Sequence, residues 1–224
     1  MTRHLFAPVL LSCLLAANLH ATDFTDHEAR SGLSETLTKE ASDAVGQLGV
    51  DNGFYGNPEV KIPLPDSLQK AERVLRSFGM SKQADELELT MNRAAERAVH
   101  EAKPILLDAV KKISWEDARA IVTGDETAAT EYFRRTTSDP LTKRFQPIVH
   151  KATSELKLAE KYNEYAGRGV ELGLIKPEDA NLDDYVTRKA MEGLFRIMGD
   201  EEKAIRKDPM GQASKLLRKI FGGN

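Results

Sequence analysis

The sequence predicts an all-α fold of about eight to ten helices in a single compact domain. Apolar residues recur at steps of three and four along almost the whole chain, which is the spacing of helices that bury one face. No alternating run of useful length indicates a strand, and no repeat at a fixed period indicates a solenoid. About two hundred residues are enough for one domain with a sizeable core.

The first predicted helix spans residues 34–48, and the longest non-helical stretch of the chain follows it. Residues 49–65 contain three glycines and three prolines. Each proline removes a backbone donor and favours extended geometry in the residue before it. We expect this stretch to cross the domain as a long extended segment. Asp66 or Ser67 then caps a second helix, which ends at Gly79.

Local capping patterns set the limits of the next three helices. A third helix begins at Ser81, and Pro104 opens or interrupts the one after it. Ser114 and Asp117 have the spacing of a capping box, in which side chains satisfy free N–H groups at a helix start. The pattern predicts a short helix that ends at Gly124.

The second half of the chain is predicted to be helical throughout. A helix over residues 128–133 precedes a new start at residues 139–140, where an Asp cap is followed by proline at the first helical position. Another helix lies around residues 158–165. Asn181 caps a long helix, and a terminal helix covers residues 213–221.

The beginning of the chain has the pattern of a secretory signal. A basic start, an apolar run over residues 5–19 and a small residue, Ala21, match such a signal, and the run is too short for a comfortable membrane span. We expect residues 1–21 to be removed, leaving an exported chain that is poorly ordered over residues 22–33. If Cys13 is lipidated instead, the product would be tethered to a membrane.

Composition and motifs argue against several classes of function. Without residues 1–21 the chain carries 31 Lys and Arg against 35 Asp and Glu, which argues against nucleic acid as the main partner. The His-Glu pairs at 27–28 and 100–101 lack the second histidine of a zinc-protease helix, and no nucleophile elbow or phosphate loop occurs. We therefore assign no catalytic residue, no metal site and no cofactor, and we lean against an enzyme.

A stripe of polar side chains follows one side of the third predicted helix. Asp85, Glu88, Asn92 and Glu96 recur at steps of three and four, with Arg93 beside them. Such a stripe could be half of a carboxylate metal site in a helix bundle. The reading we favour is a solvated face, or carboxylates paired with neighbouring basic residues.

The non-helical stretch carries apolar side chains that admit two interpretations. Phe54, Tyr55, Ile62 and Leu64 could form the lip of an apolar pocket between helices, because long irregular loops are enriched in functional roles. They could equally cover the core where the chain crosses it, and this is the interpretation we favour.

Two basic segments suggest contacts with anions. Arg134 and Arg135 precede the predicted helix start at residues 139–140, and helix amino ends attract anions. The alternative we favour here is that Asp139 occupies the cap, with its own carboxylate as the anion. Lys215, Arg218 and Lys219 lie on the basic amphipathic terminal segment, which could touch an anionic membrane. Because short isolated helices are marginal in water, docking of its apolar face on the domain is the alternative we favour.

Five strings of the sequence are distinctive in combination: Asn57–Pro65, Asp85–Glu96, Ala102–Ile105, Thr136–Thr142 and Leu182–Thr187. Together they resemble a bacterial family of exported proteins catalogued as domain of unknown function 4197. The resemblance covers about residues 34–221 and implies a mostly helical periplasmic domain in a Gram-negative-type cell. It implies no activity, cofactor or catalytic residue.

The sequence therefore favours a non-catalytic periplasmic domain that binds a partner protein or an apolar ligand. One alternative is a carboxylate-based or metal-dependent enzyme centred on Glu88, Asn92 and Glu96. The other alternative is an envelope protein that contacts lipid through its terminal helix.

Overall fold

A computed structural model describes residues 26–70 and 81–207 of the chain. Within these ranges the protein is all-α, as predicted, and no strand occurs. A short 3-10 helix covers Pro177–Asp179, and residues 66–70 are also helical. The predicted count of eight to ten helices is not confirmed. The seven α-helices of the described residues are α1 (Asp26–Leu48), α2 (Ser81–Val99), α3 (Ala102–Lys111), α4 (Trp115–Thr123), α5 (Ala128–Thr153), α6 (Lys157–Glu171) and α7 (Leu182–Lys207).

Helices α5 and α7 form the central pair of the fold. Gln146 bonds to Asp184 near the end of α5, and Glu202 bonds to Ala129 at its start, so the two helices run antiparallel. Helix α2 packs against both of them, and α1 packs against α3 and α7. The buried apolar side chains of all seven helices form one continuous core.

The limits of two helices depend on caps that the sequence predicts correctly. The Ser114 hydroxyl accepts a hydrogen bond from the backbone N–H of Asp117 (3.0 Å) at the start of α4. The Asn181 side-chain oxygen accepts from the N–H groups of Asp183 (2.8 Å) and Asp184 (3.1 Å) at the start of α7. Each cap satisfies backbone donors that have no partner inside the helix.

Helix α1 begins earlier than predicted. It starts at Asp26 instead of Ser34, so much of the stretch 22–33 that was expected to be poorly ordered is helical in the structure. Leu33 is 1% exposed, because the apolar stripe of α1 already faces the core at this point. The predicted signal, most of the second helix and the terminal helix lie outside the described residues.

The predicted helix start at residues 139–140 is wrong. Helix α5 runs without a break through Pro140 and Pro147, both of which are exposed, so the carbonyl groups they leave unbonded face water. Its buried positions recur at every fourth residue from one end to the other, and burying this stripe outweighs the cost of two prolines. The stripe consists of Phe133, Thr137, Leu141, Phe145, Val149 and Thr153.

The stretch 49–65 contains no helix, but it is not extended along its whole length. Residues 49–50 form a bend, residues 51–56 and 58–60 form turns, and the longest part without a bend or turn is residues 61–65. Asn52 adopts a left-handed conformation (φ 70°), which asparagine tolerates better than most residues. The predicted extended crossing is therefore not confirmed in that form, and we call these residues the 49–65 segment.

None of the described helices is both long and apolar enough to cross a membrane.

Candidate functional site

Asn92 lies at the middle of the polar stripe on α2, where it is fully buried. Its side-chain oxygen accepts from the backbone N–H of Ile62 (2.8 Å), and its amide nitrogen donates to the carbonyl groups of Ile62 and Glu88 (both 2.8 Å). The amide group thus pairs with the Ile62 backbone as a neighbouring strand would. One side chain of α2 thereby fixes the 49–65 segment against the helix.

Glu96, one turn further along α2, holds the other end of the same segment. It is 3% exposed, and its Oε1 accepts from the backbone N–H groups of Phe54 and Tyr55 (both 3.1 Å). Its Oε2 pairs with Arg93 (2.6 Å), which also donates to the Asn52 side chain (3.0 Å). The bond to Glu96 raises the pKa of Arg93. The charge of this buried carboxylate is therefore balanced entirely by protein groups.

Glu88 completes the attachment at the half-buried edge of the stripe. It pairs with Lys61 (2.9 Å), and this bond raises the pKa of Lys61. The Lys61 ammonium also lies 4.5 Å from the centre of the Tyr55 ring, within the range of a cation–π contact. Asp85 is exposed at the start of the stripe. We call Glu88, Asn92, Arg93 and Glu96 the clamp.

The clamp leaves little capacity for chemistry. Its amide and its two carboxylates are engaged with backbone groups of the 49–65 segment or with cations, as the distances above show. Among the residues that the structure describes, no three His, Cys, Asp or Glu side chains lie together as a set of metal ligands. The arrangement is that of a structural attachment, in which buried polar groups are satisfied by one another.

The apolar residues of the 49–65 segment lie in the core. Phe54, Ile62 and Leu64 are at most 6% exposed, and Tyr55 is half-buried. The Phe54 ring lies directly against the backbone of Gly193, where an added Cβ would be 2.6 Å from a ring carbon. None of the four lines the groove described below.

The predicted anion site does not lie at a helix start, because Arg134 and Arg135 are inside α5. Arg134 pairs with Glu131 (3.2 Å) and lies over the Phe195 ring at 4.8 Å. Arg135 pairs with Asp117 (2.7 Å). Both guanidinium groups have protein partners, and the free N–H groups of a helix start, on which the predicted site depended, are absent at this point.

Two buried carboxylates that sequence reasoning missed connect α1, α5 and α7. Glu202 accepts hydrogen bonds from the N–H groups of Ala129 (3.0 Å) and Thr130 (2.9 Å), so it caps α5 from another helix, and Arg206 balances its charge (2.7 Å). Glu40 is 2% exposed, and its Oε1 has no hydrogen-bond partner. Burial, with Glu202 nearby, raises the pKa of Glu40 well above its usual value. The available signal was position, since both residues fall in the apolar stripe of their helix.

An open groove of about 690 Å³ lies between α2 and α5 and reaches the start of α6. Its apolar lining includes Leu89, which is 37% exposed although it is a leucine on a well-packed helix. Leu89 is an apolar residue outside the buried apolar stripe of α2. This position is the feature of the sequence that indicates the groove. The other apolar side chains in the lining are Pro147, Ile148, Ala152 and Leu156.

The charged residues of the groove differ from those of the clamp. Arg97 and Lys151 are exposed and make no ion pair within the described part of the chain, and the same is true of Glu86 and Glu155. Arg93 also lines the groove, but its charge is already balanced by Glu96. The groove therefore combines an apolar surface with four charges that are available to a ligand.

A family model described as "Protein of unknown function (DUF4197)" matches residues 23–222, which is nearly the whole chain. The chain belongs to this family. Comparisons with curated proteins and with solved structures gave no match. In this DUF4197 chain the strings Asn57–Pro65 and Asp85–Glu96, which carried the resemblance, lie against each other through the bonds of Asn92 to Ile62.

The geometry of this DUF4197 domain therefore offers two surfaces of different character on the same helix. On one side of α2 the clamp holds the 49–65 segment with buried, fully paired groups. The other side, with Leu89 and Arg97, forms a wall of the groove and presents unpaired apolar and charged groups. Of these two surfaces, the groove side presents the charged groups that lack ion-pair partners among the described residues.

Proposed function

We propose that this protein is an exported, non-catalytic binding protein of the bacterial periplasm, and that the groove between α2 and α5 receives its partner protein or apolar ligand. One observation carries the proposal. The groove keeps Leu89 partly exposed beside Ile148 and Leu156, and its four outer charges lack ion-pair partners among the described residues. Apolar clefts with a few polar groups at the rim are the usual form of a binding site.

The clamp supports the non-catalytic part of the proposal. A carboxylate that acts as a general acid, base or metal ligand must be able to reach a substrate or an ion. Both oxygens of Glu96 are already bonded, Oε1 to the backbone of the 49–65 segment and Oε2 to Arg93. The export part of the proposal rests on the signal pattern of residues 1–21 in the sequence.

Site-specific photo-crosslinking in cells of the native host tests the groove. Benzoylphenylalanine is placed at Leu89, and a matched control carries it at Leu172, which is 73% exposed and follows the end of α6 away from the groove. We expect an adduct of defined mass at position 89 and none at position 172. Intact-mass spectrometry measures the adduct, and the same mass shows at which residue the mature chain begins. Periplasmic extraction checks whether the protein is in the periplasm. Equal labelling at the two positions, or none at either, would contradict the proposal.

A further inference from the structure

The inference that follows rests on the proposed function and specifies the partner. We infer that the groove receives one amphipathic helix of a partner protein, about three turns long, which lies parallel to α2. The size of the groove, the direction of its walls and the separation of its charges all agree with such a helix.

The size of the groove matches a short helix. The lining residues of α2 run from Glu86 to Arg97, a rise of about 16 Å along a helix axis, or about three turns. The opposite wall uses Pro147 to Leu156 at the end of α5. Leu89, Ile148 and Leu156 supply apolar surface to the same lining as the charged residues, which suits the apolar face of an amphipathic helix.

The two walls run antiparallel, and this fixes where the charges lie. Arg144, before the groove on α5, pairs with Glu101, just after the end of α2 (2.7 Å). The start of α2 therefore faces the end of α5. Glu86 and Glu155 consequently share one end of the groove, and Arg97 lies at the opposite end. Lys151 lies one turn before Glu155 and is therefore closer to the Arg97 end.

This separation complements a helix in one direction only. A helix carries partial positive charge at its N-terminus and partial negative charge at its C-terminus. A bound helix with its N-terminus near Glu86 and Glu155, and its C-terminus near Arg97, meets opposite charge at both ends. The reverse orientation meets like charge at both ends, so the groove prefers a helix parallel to α2.

The terminal segment of the same chain fits this site poorly. Helix α7 ends beside the start of α5, since Glu202 near its end accepts from the backbone N–H of Ala129 (3.0 Å). Lys151 lies about 33 Å further along α5, whereas six fully extended residues, enough to lead from 207 to 213, span at most about 21 Å. The nearer end of the groove is also the cationic end, which would repel the basic residues of that segment.

Two stapled 12-residue peptides of identical composition test the orientation. Both carry the same apolar face and a benzophenone at the N-terminus, and a staple on the outer face keeps them helical. One has lysines in its first turn and glutamates in its last, and the other has the reverse. By fluorescence anisotropy at low salt, we expect the first peptide to bind about tenfold more tightly, equal to about 1.4 kcal/mol, because only this peptide matches both its side-chain charges and its helix dipole to the groove in one direction. Its benzophenone should crosslink near Glu155.

Reversing the charges of the groove provides the decisive arm. In the variant E86K/R97E/K151E/E155K all four changes are at exposed positions, and we expect the first peptide to bind in the opposite direction, with its N-terminal benzophenone crosslinked near Pro147 instead of near Glu155. The matched control is E116K/R119E on α4, which exchanges charges outside the groove and should leave the position of the crosslink unchanged.

Several outcomes would overturn the inference. They are equal binding of the two peptides, a crosslink position that the reversed groove leaves unchanged, binding of neither peptide, and a crosslinked adduct at Leu89 that proves to be a lipid or other small amphiphile. In each of these cases, a specific crosslinked adduct at Leu89 still supports the proposed function. If the crosslinking experiment gives no such adduct, the proposed function itself is contradicted.

Discussion

The substitution Asn92→Asp tests whether the clamp holds the 49–65 segment as the structure indicates. Asp has nearly the same shape as Asn, and its Oδ1 can still accept from the Ile62 N–H. The second oxygen, however, replaces an amide that donates to the carbonyl groups of Ile62 and Glu88 (both 2.8 Å). Three acceptors then face one another in a fully buried site.

The expected loss follows from the groups left without partners. The buried Ile62 carbonyl loses its donor, which costs about 1–3 kcal/mol, whereas the Glu88 carbonyl keeps the intrahelical bond from the Asn92 N–H. Burying the new charge adds to this, although protonation limits that cost. We expect the free energy of unfolding to fall by about 3 kcal/mol at pH 7, and the melting temperature by about 6–12 °C for a domain of this size.

Asn181→Asp is the matched control, because the same chemical change there should be nearly neutral. Asn181 uses only its oxygen, which accepts from Asp183 and Asp184 at the start of α7, and Asp is an equally good cap. Urea unfolding followed by circular dichroism measures both variants. Hydrogen exchange should also show faster exchange over residues 49–65 in Asn92→Asp alone.

The pH dependence adds a second check on the same variant. Burial beside two carbonyl groups raises the folded pKa of the new Asp above its unfolded value of about 3.9. Its destabilising effect should therefore shrink as the pH falls toward 4 and grow as the pH rises. A loss below about 1 kcal/mol at pH 7, or a loss equal to that of Asn181→Asp, would refute the role assigned to Asn92.

Two further predictions concern buried positions outside the clamp. The pKa of Glu40 is raised in the folded state, so the folded protein keeps a proton that the unfolded chain releases above about pH 4.3. The free energy of unfolding therefore falls with rising pH, by up to about 1.4 kcal/mol per pH unit. Glu40→Gln should remove this dependence in urea titrations from pH 4 to 8, and an unchanged pH profile would contradict the assignment. Gly193→Ala should lower the free energy of unfolding by about 1–3 kcal/mol, because the new Cβ would lie 2.6 Å from the Phe54 ring. The same change at exposed Gly46, where an added Cβ meets open space, should be neutral or stabilising. Equal melting temperatures for the two alanine variants would show that the Phe54 contact is not tight.

The features that the sequence predicts correctly are those decided by near neighbours. The caps at Ser114 and Asn181 involve atoms two or three residues apart, so the local pattern contains all the partners. The apolar stripe of α2 is equally local, since its spacing alone gives the buried face. These features gave the fold class and most helix starts without knowledge of the tertiary structure.

The features that the sequence does not predict depend on partners far along the chain. The start at residues 139–140 is a strong local signal, but it competes with a stripe of buried residues on either side of Pro140 that is stabilised by α7 and α2. Glu202 caps α5 across more than seventy residues. No window of a single sequence contains such a pair, so neither the continuous α5 nor its cap could be foreseen.

The polar stripe shows what its sequence interpretations left out. A solvated face and a metal site both assume that the stripe faces water or an ion. The third interpretation, carboxylates paired with basic residues, agrees with the Glu96–Arg93 pair but does not include the backbone of the 49–65 segment. The 49–65 segment is neither helix nor strand, so its buried N–H and C=O groups need side-chain partners, and Asn92 and Glu96 supply them. The groove depends on this arrangement, because Arg93 both pairs with Glu96 and lines the groove. The attachment of the irregular segment and the shape of the binding surface are therefore two consequences of how one helix is held.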